Sequence, residues 1–255
     1  MEVGLVLIEK QWPKIRCAGD SCVVIEYGDA ISLDVNGRVQ ALRRTLESKK
    51  VSGLRELVPT YCSLAVYFDP LAIDPLRFFP LINRLASEAE SDFIGEKGRG
   101  VIIPVCYGFE FGPDLQNVIH HSGLSEEEVI KRHSSVDYYC YMLGFTPGFS
   151  YLGGMDESIS TPRLVEPREK IPAGSVGIAG RQTGIYPIDS PGGWQLIGRT
   201  PLRMFDATRE PPTLTDGGLW IRFRPISPNE YALIEEQVSH GEYTLEMFDK
   251  GEVPA

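Results

Sequence analysis

The sequence predicts an α+β protein in two parts. A small N-terminal α/β domain with a ferredoxin-like layout spans 1–95, and a mainly β, barrel-type domain spans 96–255. Three observations predict this. Apolar residues at helical spacing alternate with short β-branched runs up to about residue 98. Beyond that point helix signals thin out, and short strands separated by turns take over. Finally, residues 144–198 hold eleven of the 26 glycines, interleaved with proline and aromatic residues. That mixture suits tight turns and close backbone approach rather than a helix.

In chain order, Ser21–Tyr27 reads as a strand ended by Gly28-Asp29. Over 31–49, Val35, Val39, Leu42 and Leu46 form the stripe of an amphipathic helix. Leu54–Leu57 is a short strand, and Pro59 separates it from the alternating strand Ser63–Phe68. Asp74-Pro75 is a helix start, with proline suited to the first helical position and Leu76, Phe79, Ile82 and Leu85 as the inward face. The order β-α-β-β-α is that of a split βαβ unit. The acidic stretch after Ser87, running into Gly95-Glu96-Lys97-Gly98-Arg99-Gly100, reads as a linker or hairpin. It lacks the Lys-Ser/Thr ending of a phosphate-binding loop. Val101–Tyr107 is a strand, and Asp114–His121 a short helix. Ser125 followed three residues later by Glu128 is a capping box opening another helix. Tyr138–Leu143 begins a series of short strands that runs to about Phe223, and Asn229–His240 is a last helix.

Composition excludes several classes. A net charge of −10 removes the electrostatic footprint of a nucleic-acid or acidic-membrane binder. Met1–Ile8 has no basic flank or cleavage site, and no run approaches the ~18 apolar residues of a spanning helix, so a cytoplasmic protein without membrane contact is expected. Five scattered cysteines and four histidines show no metal-ligand spacing; inert buried thiols and no metal are expected.

The chemistry-bearing residues are concentrated in 144–198. That segment has no cysteine or histidine, and its serines 150, 175 and 190 sit in glycine-rich turns. Gly148-Phe149-Ser150-Tyr151-Leu152-Gly153 departs from a Gly-x-Ser-x-Gly elbow, which argues against an autonomous hydrolase. Gly174, Gly177 and Gly180 recur every third residue, but Pro172 and Gly184 around them favour turns over a dinucleotide site. The segment and its margins do hold donors: Arg163, Arg168, Lys170, Arg181, Gln182 and Arg199. Arginine can grip a carboxylate or phosphate bidentately, and glutamine can read an amide. Ion pairing to Asp156, Glu166, Glu169 and Asp189 is the competing reading. Tyr151, Tyr186 and Trp194 are the expected walls of one concave face, with Phe149 among them, meeting a partner subunit.

Long motifs within 100–206 resemble a known family. They include Tyr141-Met142-Leu143-Gly144-Phe145-Thr146-Pro147-Gly148-Phe149, Pro172-Ala173-Gly174-Ser175-Val176-Gly177 and Ser190-Pro191-Gly192-Gly193-Trp194-Gln195-Leu196-Ile197-Gly198-Arg199. The family is allophanate hydrolase subunit 1, also called the 5-oxoprolinase B-subunit family, and it includes an inhibitor of a sporulation histidine kinase. Phe109, where a glycine is common, and Ser150, where a proline is frequent, are local departures.

The resemblance implies a cyclophilin-like barrel in the C-terminal domain, with carboxyltransferase-type relatives. It implies a hydrolase subunit, inactive alone, in an ATP-dependent complex opening 5-oxo-L-proline to L-glutamate. The implied partners are a C subunit of allophanate hydrolase subunit 2 type and an A subunit of lactam-utilisation type. Which subunit holds ATP stays open. Two alternatives also remain: a binding protein that docks on a histidine kinase, and half of a urea-carboxylase-like carboxyltransferase. For ligand contacts the sequence nominates Arg163, Arg168, Arg181, Gln182, Arg199, Tyr151, Tyr186 and Trp194.

Overall fold

The computed structural model describes residues 12–89 and 98–251. The segment read for a leader and the residues around the boundary near 95 lie outside the described residues. Two compact units emerge, 1–95 and 96–255.

The first unit runs β1 (Lys14–Cys17), β2 (Cys22–Glu26), α1 (Leu33–Lys49), β3 (Leu54–Pro59), β4 (Ser63–Phe68) and α2 (Pro75–Glu88). The sheet order is β1-β2-β4-β3, antiparallel at every seam. The stretch from β2 to α2 is the predicted split βαβ, and Pro59 closes edge strand β3 rather than breaking it. The fourth strand, β1, precedes the motif and has no counterpart in the sequence reading. It is four residues long and exposed toward its end, so it carries almost no apolar alternation.

Caps explain where the helices start. The Ser32 hydroxyl accepts from the Val35 N–H at 3.1 Å, and the Asp74 carboxylate accepts from the Leu76 N–H at 3.0 Å. Helix α1 buries Val39, Leu42 and Leu46 as expected, while Val35 is only half-buried. Helix α2 departs from its predicted face. Phe78, Ile82, Leu85 and Ala86 point inward, Phe79 is half-buried and Leu76 lies in solvent. The Asp74 cap starts α2 so that Phe78, four residues before Ile82, shares its row.

The second unit contains β5 (Gly98–Tyr107), α3 (Leu115–Ser122), α4 (Glu126–Ser134), β6 (Asp137–Leu143), β7 (Ser150–Gly153), β8 (Arg168–Ile171), β9 (Ser175–Ala179), β10 (Gln182–Ile185), β11 (Ser190–Gly192), β12 (Gln195–Arg199), β13 (Trp220–Pro225), α5 (Pro228–His240) and β14 (Met247–Lys250). Seven strands follow one another as β12-β9-β10-β7-β6-β13-β5, and β5 pairs back to β12 through Tyr107↔Gly198, closing a barrel. The β5–β13 seam is parallel, with Trp220 opposite Gly100; the other seams of the ring are antiparallel. Strands β8 and β11 form a separate two-stranded ribbon. Inward residues of the ring, among them Ile103, Val105, Cys140, Ile178, Ile185, Ile197 and Ile221, make one apolar core.

Gly98 and Gly100 correct the linker reading, because both lie in β5 and pair with Lys250 and Phe248 of β14. A side chain on Gly100 would run into the Phe248 ring, and one on Gly98 would press on Trp220. These glycines make room for rings on the barrel wall. The serine half of the predicted capping box is present, the Ser125 hydroxyl accepting from the Glu128 N–H at 3.2 Å, whereas the Glu128 carboxylate turns to Arg132 at 3.3 Å. Among the thiols, Cys22, Cys106 and Cys140 are buried, whereas Cys17 is exposed and Cys62 half-buried, which corrects the expectation that all are interior. No described helix is long and apolar enough to cross a membrane.

Candidate functional site

The glycine-rich segment assembles an aromatic cluster beside the barrel. Phe149, at the entrance to β7, is its hub. Its ring meets Tyr151, Tyr186, Trp194 and Phe145 edge-on, with centroids 5.2, 5.2, 5.4 and 5.6 Å away. Such edge-to-face pairs match positive ring edges to negative faces. Glycine permits the arrangement. A Cβ on Gly184 would lie 3.0 Å from the Ser150 carbonyl oxygen and 3.1 Å from both the Phe149 and Trp194 rings, so a bare backbone lets the rings settle there without displacement. Gly192 does the same for the Tyr186 hydroxyl.

Over this cluster opens a cavity of about 220 Å³, lined by Phe145, Phe149, Tyr151, Arg163, Tyr186, Gly192, Gly193 and Trp194. Phe149, Tyr186 and Trp194 are buried and form its floor; Tyr151 is half-buried. Phe145 stands 62% exposed. Its φ of 63° is a left-handed conformation that a bulky side chain rarely adopts. The Tyr186 phenol is pushed up to about 12, first by burial, with a hydrogen bond from the Trp194 backbone and the nearby Arg163 and Arg168 charges pulling the other way. It is therefore a neutral hydroxyl at physiological pH.

The predicted cations do not gather there. Arg163, just after the Thr161 bridge to Gly180, lines the cavity and forms no ion pair with a carboxylate among the described residues. Arg168 lies behind the wall. Its register partner is Gly192, and its Nη2 donates to the Asp114 carboxylate at 2.7 Å. Asp114 is buried, and its other oxygen accepts the Leu196 N–H at 2.7 Å. Lys170 pairs with Asp189 at 2.8 Å, so its ammonium is pushed up and the Asp189 carboxyl down. Arg181, at the β9–β10 turn, pairs with Glu157. Gln182 begins β10 opposite Ala179. Arg199, ending β12, acts electrostatically on Tyr231 and Asp189. Of the eight nominated residues, the structure brings Arg163, Tyr151, Tyr186 and Trp194 to one cavity and places Arg168, Arg181, Gln182 and Arg199 outside its lining. Spacing along the chain carried no sign of which cation had a carboxylate waiting for it.

A second polar cluster escaped the sequence reading. His133 of α4 is fully buried and stacks on Phe223 at 4.6 Å. The Tyr107 hydroxyl donates to its Nδ1 at 2.8 Å, and its Nε2 donates to the Thr183 hydroxyl at 2.8 Å, which in turn donates to the Gly177 carbonyl at 3.0 Å. Burial lowers His133 to about 3, so it is neutral and pins the barrel rather than shuttling protons. A lone histidine in a helix gives no advance signal of this.

A closed seven-strand barrel carrying an aromatic-walled cavity, in a chain that also holds a small α/β unit, defines a two-domain carboxyltransferase-type protein. Residues 13–215 match the family described as carboxyltransferase domain, subdomain C and D, and the chain belongs to that family. It is 44% identical over 235 residues to the B subunit of 5-oxoprolinase from Bacillus subtilis, covering 88% of this chain and 97% of that protein. It is 41% identical over 217 residues to the B subunit of 5-oxoprolinase from Escherichia coli O157:H7, covering 83% and 96%. Among solved structures, TTHA0988 aligns with a TM-score of 0.73 at 36% identity over 84% of this chain and 41% of that one.

Proposed function

We propose that this chain is the B subunit of a 5-oxoprolinase, a hydrolase that opens the lactam of 5-oxo-L-proline to L-glutamate. The carrying observation is the likeness to proteins of that name, which runs along almost their whole length. A lactam amide is resonance-stabilised; phosphorylating its oxygen with ATP gives water an easier carbonyl to attack, and loss of phosphate and cleavage of the ring C–N bond then yield glutamate.

The cavity lining fits a subunit that works only in a complex. It offers an arginine, a neutral phenol and aromatic walls but no cysteine, serine, histidine, lysine or carboxylate to attack or take a proton. At about 220 Å³ it also falls below the ~300 Å³ of sites for drug-sized ligands, so the ATP fits elsewhere in the assembly. The partners are a C-type and an A-type subunit, and the complex works in the cytoplasm. The test is ATP-dependent glutamate release by the purified chain and by its mixture with both partners. Turnover is expected from the mixture only. Turnover by the chain alone, or none by the mixture, refutes the assignment.

A further inference from the structure

We propose that the Phe149-floored cavity is the binding site for the lactam substrate, with Arg163 as the partner of the ring carboxylate. The ligand class is a small monocyclic amide bearing one carboxylate. This rests on the 5-oxoprolinase reading and assigns that reaction's substrate to a place.

Four observations carry it. The cavity's volume of about 220 Å³ admits a single small ring and refuses a nucleotide. Its charge is one-sided. Neighbouring Arg168, Lys170 and Arg181 are each neutralised by Asp114, Asp189 and Glu157, whereas Arg163 forms no ion pair among the described residues. A guanidinium left without a carboxylate in a chain of net charge −10 is an anion site in waiting. The lining holds no carboxylate, so a bound acid meets no like charge. Lastly, the remaining surface matches a neutral planar amide: ring faces and edges from Phe149, Tyr151 and Trp194, the protonated hydroxyl of Tyr186 as a donor for the lactam oxygen, and a rim at Gly192–Gly193 with no side chain in the way.

The experiment uses the reconstituted complex with Arg163→Gln, Arg163→Lys and, as a surface control, Arg181→Gln. Arg163→Gln should raise the KM for 5-oxo-L-proline at least tenfold. The KM for ATP and the assembly of the complex should stay unchanged, and Arg163→Lys should recover part of the loss. 2-Pyrrolidinone, which lacks the carboxylate, should compete equally weakly against wild type and Arg163→Gln, while pyrrole-2-carboxylate should discriminate between them. Arg181→Gln should behave as wild type. An active complex whose 5-oxo-L-proline KM is indifferent to Arg163→Gln overturns the site and leaves the function standing. If the wild-type complex turns over no 5-oxo-L-proline, the function fails; calorimetric titration of the chain with pyrrole-2-carboxylate then decides the site, and absence of saturable, Arg163-dependent binding overturns it too.

Discussion

Replacing Arg168 by methionine tests how the cavity wall is held. The guanidinium donates at 2.7 Å to Asp114, whose side chain is only 6% accessible, and the second carboxylate oxygen accepts the Leu196 N–H. Methionine keeps much of the apolar stem but leaves Asp114 charged, buried and half unpartnered. Removing one member of a buried ion pair costs about 3–5 kcal/mol. Two features reduce that figure here. The Arg168 side chain is 31% accessible, so water can screen the vacated side, and the Leu196 hydrogen bond remains. We expect a loss of about 2 kcal/mol, which lowers the melting temperature of a unit this size by roughly 4–8 °C. Urea unfolding should show a reduced midpoint at unchanged slope. The double variant Asp114→Asn/Arg168→Met, which removes the stranded charge, should be more stable than Arg168→Met alone. Because Arg168 pairs in register with Gly192, the single variant should also loosen the cavity rim. A loss under ~0.5 kcal/mol, or a double variant no better than the single, refutes the view that Asp114 is a desolvated charge.

Three other perturbations have definite expected outcomes. His133 has its folded-state value lowered from 6.5 to about 3, so the unfolded chain binds the extra proton. Stability is therefore full above about pH 6.5 and falls by up to about 1.4 kcal/mol per pH unit as pH drops toward 3, a slope that His133→Gln should flatten between pH 6 and 4.5 in urea titrations. Gly184→Ala should cost about 1–3 kcal/mol by overpacking Phe149 and Trp194, and should change the near-ultraviolet circular dichroism of the aromatic cluster; a silent variant would mean the floor is not tightly seated. Arg181→Ala, which breaks an ion pair whose side chains are 72% and 69% accessible, should shift stability by less than ~0.5 kcal/mol in the same urea assay.

How far the sequence could be read depended on whether the signal was local. Caps and periodic stripes are local, so α1, α4 and α5 lie within two residues of their expected starts, and Ser125 caps α4 as its spacing implies. Strand β1 was illegible because an edge strand needs only one partner and little apolar alternation. The face of α2 slipped because its rows are heavily apolar, and only the sheet beneath decides between Phe78 and Phe79. For the site, aromatic and glycine residues were legible together, since rings that close in on a strand backbone crowd any side chain there, as at Gly184. The arginines were not separable. Arg163 and Arg168 look alike five residues apart, yet Arg168 finds Asp114 from 54 positions away, a pairing that only the folded chain creates.

That difference changes what the aromatic residues mean. Rings expected as a bare docking face are largely interior: Trp194 is 6% exposed and Phe149 is 2% exposed. Their energetic role is first to the fold, because truncating a ring so deeply packed leaves a cavity that costs about 3–5 kcal/mol. At the proposed lactam site, tuning would then fall to the rim, where Arg163 and Phe145 are exposed and replaceable without emptying the core. Phe145 is the more revealing of the two. It holds a left-handed backbone with its ring largely in solvent, a conformation that costs of order 1–3 kcal/mol and persists only where surroundings impose it. Replacing it by glycine removes that strain together with the ring that reaches Phe149 at 5.6 Å. The folded subunit should become no less stable by urea unfolding, while the cavity loses one wall and its affinity for a small ring acid falls. A Phe145→Gly chain that is instead destabilised by more than ~1 kcal/mol would show that the exposed ring supports the floor, and the division between floor and rim would fail.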